Sequence, residues 1–157
     1  MARLVNNNKI ILNDIKYLDD HIELIKTYNN LEITDIGIDQ NLILSSIPGL
    51  ISLTISDPKF NKEFELVDSL EELIFTEPSQ FDQPIILNNN LIELCFGYNF
   101  DQPIILNNNL KQLYFGKMFN QQIELNNELN YLVFGDNFNQ PIELNKNLIE
   151  LDRKSVV

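Results

Sequence analysis

Side chains that could do chemistry are few in this chain of 157 residues, and their spacing fits no reaction. His21 is the only histidine and Cys95 the only cysteine, so there is no paired-histidine zinc site, no Cys-x-x-Cys pair and no intrachain disulfide. A Cys-His nucleophile needs both groups within hydrogen-bond reach, and no histidine lies near Cys95 in the sequence. Adjacent carboxylates such as Glu71 and Glu72 have the right groups for acid and base, but in an acidic chain such pairs ordinarily form a solvated face. The five glycines are scattered and build no phosphate-cradling loop. Runs of Asn and Asp suggest calcium ligands, yet the Gly-rich nine-residue calcium repeat is missing. The expectation is a protein without catalytic residues, metal or cofactor.

Charge narrows the partners. The net charge is −12, and the 11 Lys and Arg form no basic run, which is the wrong sign for nucleic acid or an anionic membrane. No window approaches eighteen consecutive apolar residues. The amino-terminal MARLVNNNKIILNDIKYLDD breaks its apolar stretches with Asn, Lys and Asp, unlike a signal-peptide core. A single cysteine suits a reducing compartment. These features predict an intracellular, soluble protein; a monomer is expected over an oligomer, with end-to-end association possible.

The elements that must position any site follow from repetition. FDQPIILNNN occupies residues 81–90 and returns at 100–109. Aligned on itself, the chain reads FDQPIILNNNLIELCFGYN (81–99), FDQPIILNNNLKQLYFGKM (100–118), FNQQIELNNELNYLVFGDN (119–137) and FNQPIELNKNLIEL (138–151), in an unbroken register of 19 residues. FNKEFELVDSLEELIF (60–75) keeps the frame with two extra residues before the next Phe. IPGLISLTI (47–55), LEITDIGI (31–38) and LNDIKY (12–17) fit it more loosely. The whole chain, 1–157, is predicted to be one solenoid domain: 1–59 degenerate or capping coils, 60–157 clear repeats.

Within a unit, apolar residues alternate. In LIELCFG, Leu94 and Phe96 are predicted to face in and Glu93 and Cys95 out, with Leu91 closing the bend. In PIIL, a predicted second strand, Ile85 and Leu87 face in and Ile86 out. That outward slot reads Ile86, Ile105, Glu124, Glu143, and a buried column would not take two unpaired glutamates. The Asn runs and Gly97, Gly116 and Gly135 are read as corners, being residues that tolerate left-handed backbone. Pro84, Pro103 and Pro141 each remove a ladder donor, tolerable at the start of a strand, and Gln122 shows the Pro is dispensable.

A unit this short cannot bury its own apolar side. It must stack on copies at about 4.8 Å, pairing like strands in parallel. Phe81, Phe100, Phe119 and Phe138 then form one column and Phe75, Phe96, Phe115 and Phe134 another, with Asn ladders alongside in which each side-chain amide bonds the copy above and below it. The predicted fold is a mostly β repeat protein, a right-handed leucine-rich-repeat-like solenoid of about seven coils of roughly 19 to 21 residues with parallel strands.

The Leu-x-x-Leu-x-Phe half resembles the strand segment of a leucine-rich repeat, with Asn99 and Asn137 at its ladder-Asn position. Phe138-Asn139-Gln140-Pro141-Ile142 in FNQPIELNKNLIEL resembles the FNIP repeat of social amoebae and of giant viruses of amoebae. Asp82 and Asp101 depart from that motif by replacing its Asn, and the unit is about three residues shorter than the family's. The resemblance implies a protein-interaction surface in the cytoplasm of the amoeba or of the infected host cell. In some members the array is joined to an F-box that recruits a ubiquitin ligase, and the first forty residues show no such segment.

Candidate binding positions are those that repeat without serving the core. On the Leu-x-x-Leu-x-Phe strand they are its third and fifth letters: Glu72 and Ile74, Glu93 and Cys95, Gln112 and Tyr114, Tyr131 and Val133. Exposed tyrosines beside carboxylates have the composition of interfaces. The leading expectation is a noncatalytic protein-interaction module using this face. The alternatives are a structural or self-assembling solenoid, and the substrate-recognition part of a ubiquitin-ligase adaptor lacking its own F-box.

Overall fold

Leu-x-x-Leu-x-Phe sets the strand of each coil, because its second Leu and its Phe point inward from a backbone that is extended between them. The computed structural model describes residues 2–5, 9–14, 22–35 and 42–153. Among these are nine strands and one helix: β1 (Ala2–Val5), β2 (Lys9–Leu12), α1 (Ile22–Tyr28), β3 (Asn30–Ile33), β4 (Ser52–Ile55), β5 (Glu72–Phe75), β6 (Glu93–Cys95), β7 (Gln112–Tyr114), β8 (Tyr131–Phe134) and β9 (Glu150–Arg153). They form one sheet in sequence order, antiparallel only between β1 and β2 and parallel from β2 to β9. Equivalent leucines pair across it: Leu94 with Leu113, Leu113 with Leu132, and Leu132 with Leu151, each 19 residues on. Earlier steps are longer, 21 from Ile10 to Leu31 and 22 from Leu31 to Leu53. The chain is a mostly β solenoid. None of the described helices is long and apolar enough to cross a membrane.

The amino-terminal part joins the same sheet. IPGLISLTI (47–55) supplies β4 as its frame predicts, and the start of LEITDIGI (31–38) supplies β3, its residues 36–38 lying outside the described residues. Of LNDIKY (12–17) only 12–14 are described: Leu12 ends β2 (Lys9–Leu12), where alternation in KIIL buries Ile10 and Leu12 on one face, and 15–17 lie outside the described residues. His21 lies outside the described residues.

Two phenylalanine columns fill the core. Phe81, Phe100, Phe119 and Phe138 stack with ring centroids 6.0 to 6.2 Å apart. Phe75, Phe96, Phe115 and Phe134 do so at 5.6 to 6.0 Å. Within a coil the two columns meet closely, at 3.6 Å for Phe96 with Phe100 and for Phe115 with Phe119. Each inner ring therefore has near-parallel neighbours above, below and beside it, and aromatic pairs add about 0.5 to 1.5 kcal/mol each beyond area burial.

The predicted second strand is absent. Residues 84–87 and 103–106 form no ladder, although their side chains alternate as expected: Ile85 is buried and Ile86 is 90% exposed. Period two records which way side chains point, not whether the backbone pairs. With prolines at 84, 103 and 141 the return segment lacks donors that a ladder would use.

Side chains hold the return side instead. Asn107 Nδ2 donates to the carbonyls of Asn88 (2.5 Å) and Leu91 (3.0 Å) in the coil before, while its Oδ1 accepts the Asn109 amide (3.1 Å). Asn88, Asn126 and Asn145 repeat all three bonds. The third Asn also reaches back, Asn109 Nδ2 to Asn89 O at 2.7 Å. These ladders run from amide side chain to backbone, not from amide to amide as predicted. Nor are the Asn runs left-handed: the only non-glycine residue with positive φ among those described is Asn29. A second ladder uses the residue after Phe. Asp82 Oδ1 accepts the Asp101 amide (2.9 Å), Asp101 Oδ1 the Asn120 amide (2.8 Å) and Asn120 Oδ1 the Asn139 amide (2.9 Å). The slot requires one acceptor oxygen, so Asp and Asn serve alike.

Gly97, Gly116 and Gly135 are also not left-handed; they are there for space. A Cβ on Gly116 would lie 2.1 Å from the carbonyl oxygen of Gly97, and one on Gly135 2.2 Å from that of Gly116.

Candidate protein-binding face

Parallel register brings the eight predicted site residues onto one surface. Glu72 pairs with Glu93, Glu93 with Gln112, Gln112 with Tyr131 and Tyr131 with Glu150. Ile74 pairs with Cys95, Cys95 with Tyr114 and Tyr114 with Val133. Alternation turns both columns away from the core leucines, and all eight side chains are half-buried rather than fully exposed, since each packs on its neighbours in the adjacent coils.

The two columns continue beyond the predicted set. Asn30 and Ser52 precede Glu72 in the first, and Glu32 and Thr54 precede Ile74 in the second. Sequence reasoning missed these because their coils have longer, irregular spacing. The signal was present in the alternation of LEI and SLTI.

Electrostatics divide the surface. At its amino-terminal end Lys9 Nζ lies 2.8 Å from Glu32, and Ser56 Oγ donates to the same carboxylate at 2.7 Å. Burial alone would raise the Glu32 pKa, but these hydrogen bonds and the lysine charge outweigh it and hold the group below the usual carboxylate range. Among the described residues the centre shows no such cation. Burial pushes Glu93 upward, and the like charge of Glu72 one coil away adds to it. Burial, followed by the Glu93 charge, also raises Tyr114, whose hydroxyl donates to Gln112 Oε1 at 2.9 Å.

Cys95 sits within this anionic patch, and burial, then Glu93 and Glu77, push its thiol up to about 11. A thiol so held is protonated at neutral pH and is a poor nucleophile.

The fold and this surface define a β-solenoid repeat protein with a polar, tyrosine-bearing sheet face. Comparison of the chain with protein-family models, curated proteins and solved structures finds no match in any of the three.

Proposed function

We propose that the chain is a protein-interaction module of the FNIP-repeat type, which presents the outward face of its sheet to a protein partner and performs no catalysis. The observation that carries this reading is the unbroken pair of columns from Glu72 to Tyr131 and Ile74 to Val133, in which two phenols stand among carboxylates and, among the described residues, no cation pairs with them. A rigid sheet holds these side chains one coil apart, so a partner meets them already ordered and loses little entropy in arranging them. Tyr114 and Tyr131 supply rigid contact area. Glu72 and Glu93, mutually repelling, favour a partner that brings positive charge.

The test is quantitative capture from amoebal lysate with the intact protein and with a Glu93→Arg, Tyr114→Ala, Tyr131→Ala variant shown by circular dichroism to be folded. Proteins held by the first and lost with the second identify the partner and its face. Ubiquitin-ligase subunits in that set would place the chain in an adaptor. Capture that the variant leaves unchanged contradicts the assignment to this face.

A further inference from the structure

Across the core from the sheet, the return segments carry a feature that neither the fold nor the sheet face uses. The outward slot of PIIL reads Glu65, Ile86, Ile105, Glu124, Glu143 along the coils, all exposed. Ile86 is 90% and Ile105 is 89% exposed, so neither contributes appreciably to the core. The three glutamates show that a charged residue suits the same backbone position. The slot two residues earlier reads Glu63, Pro84, Pro103, Gln122, Pro141, also exposed. Pro84, Ile86, Pro103 and Ile105 therefore make one apolar patch in the two coils that share FDQPIILNNN. Glu63 and Glu65 bound it on one side, and Gln122 and Glu124 on the other. Shallow grooves lie on each side of the ridge formed by Pro103 and Ile105, one reaching Glu63 and Glu65 and the other Glu124 and Glu143.

We propose that this patch is a second docking site, which takes a short extended segment of a partner protein carrying aliphatic side chains between lysines or arginines. Charge complementarity selects this occupant. Aliphatic side chains cover Ile86 and Ile105, and flanking cations meet Glu65 and Glu124. A second copy of this chain is disfavoured, because a two-fold pairing of the patch sets glutamate rims against each other on molecules of net charge −12. Size selects a segment rather than a domain: four side chains offer at most a few hundred Å², below the roughly 1,000 Å² of a stable protein interface.

Fluorescence anisotropy tests this with a labelled synthetic peptide of alternating lysine and leucine, against a lysine-serine control. The variant is Ile86→Glu with Ile105→Glu, which installs the residue the slot already holds at 65, 124 and 143 and so preserves the fold. The expected result is binding of the lysine-leucine peptide to the wild type at least about tenfold tighter than to the variant, with weak binding of the serine control to both. The variant adds two negative charges, so purely ionic attraction gives the opposite order. Equal or tighter binding to the variant overturns the proposal. So does equal binding of the two peptides by the wild type, or no measurable binding of the leucine peptide to it. A Tyr114→Ala, Tyr131→Ala variant is expected to retain the peptide; loss there with retention by the isoleucine variant would move the site to the sheet face and also overturn it.

Discussion

Gly116→Ala is expected to destabilise the protein by at least about 3 kcal/mol, the upper range for forcing atoms into a packed site. The new methyl carbon would stand 2.1 Å from the Gly97 oxygen, 2.5 Å from the Gly97 carbon and 2.7 Å from the Tyr98 Cα. All three are backbone atoms of the neighbouring coil, so no rotamer change relieves the clash. The coils must separate, which weakens the adjoining Met118 N to Tyr98 O bond (3.0 Å) and the Phe stack beside it. Gly49→Ala is the control. Its Cβ would meet nothing closer than Asn29 Oδ1 at 3.8 Å, and its stability is expected to stay near that of the wild type. Urea unfolding of the two variants measures the difference, and equal midpoints contradict the close stacking of the glycine column.

Phe115→Ala is expected to cost about 3 to 5 kcal/mol. Phe115 is 4% exposed and stacks on Phe96, Phe119 and Phe134 at 5.6, 3.6 and 5.6 Å, so its removal leaves a cavity bounded by three rings that the ladders hold in place. Ile105→Glu, in the same coil but on the outward slot, is expected to change stability by no more than about 0.5 kcal/mol. Comparable losses for the two in thermal or urea unfolding would mean that the inward and outward faces are wrongly assigned.

The 19-residue register and its alternation make the sheet, its pairing, both Phe columns and the outward placement of Glu93, Cys95, Ile86 and Ile105 legible in the sequence. Identity of spacing forces like residues to stack, and alternation sorts them to two sides. Which of the two alternating runs would pair was not legible, since PIIL and ELCF share period two and differ only in backbone hydrogen bonding. The prolines at 84, 103 and 141 are the available hint, because each removes a donor that a ladder would use. The Asn and Gly columns were recognised but given the wrong cause. Residue type suggested left-handed backbone, whereas stacking geometry assigns the amides to carbonyls of the preceding coil and the glycines to close approach. The antiparallel β1 edge left no trace, because four residues without a repeat cannot announce their partner. At the candidate face, the stacking of Glu72, Glu93, Gln112 and Tyr131 and of Ile74, Cys95, Tyr114 and Val133 followed from register alone, whereas the continuation through Asn30, Ser52, Glu32 and Thr54 did not. The uneven charge did not, because it depends on Lys9 reaching Glu32 across two strands.

Stacking in a 19-residue frame is tested most directly by removing one coil. Deletion of residues 100–118 joins Asn99 to Phe119 and lets each ladder re-form, with Asp82 Oδ1 meeting the Asn120 amide and Asn126 reaching the carbonyls of Asn88 and Leu91. Deletion of 100–114 leaves Phe115, Gly116, Lys117 and Met118 as four extra residues in the joining turn, outside the 19-residue frame. Equilibrium urea unfolding followed by circular dichroism is expected to show a cooperative transition and wild-type β signal per residue for the first, at reduced stability because one coil interface is lost, and a lower midpoint for the second, whose junction must bulge around the extra residues. Unfolding of both, or equal folding of both, would contradict the solenoid register on which the sheet face and the return-side patch depend.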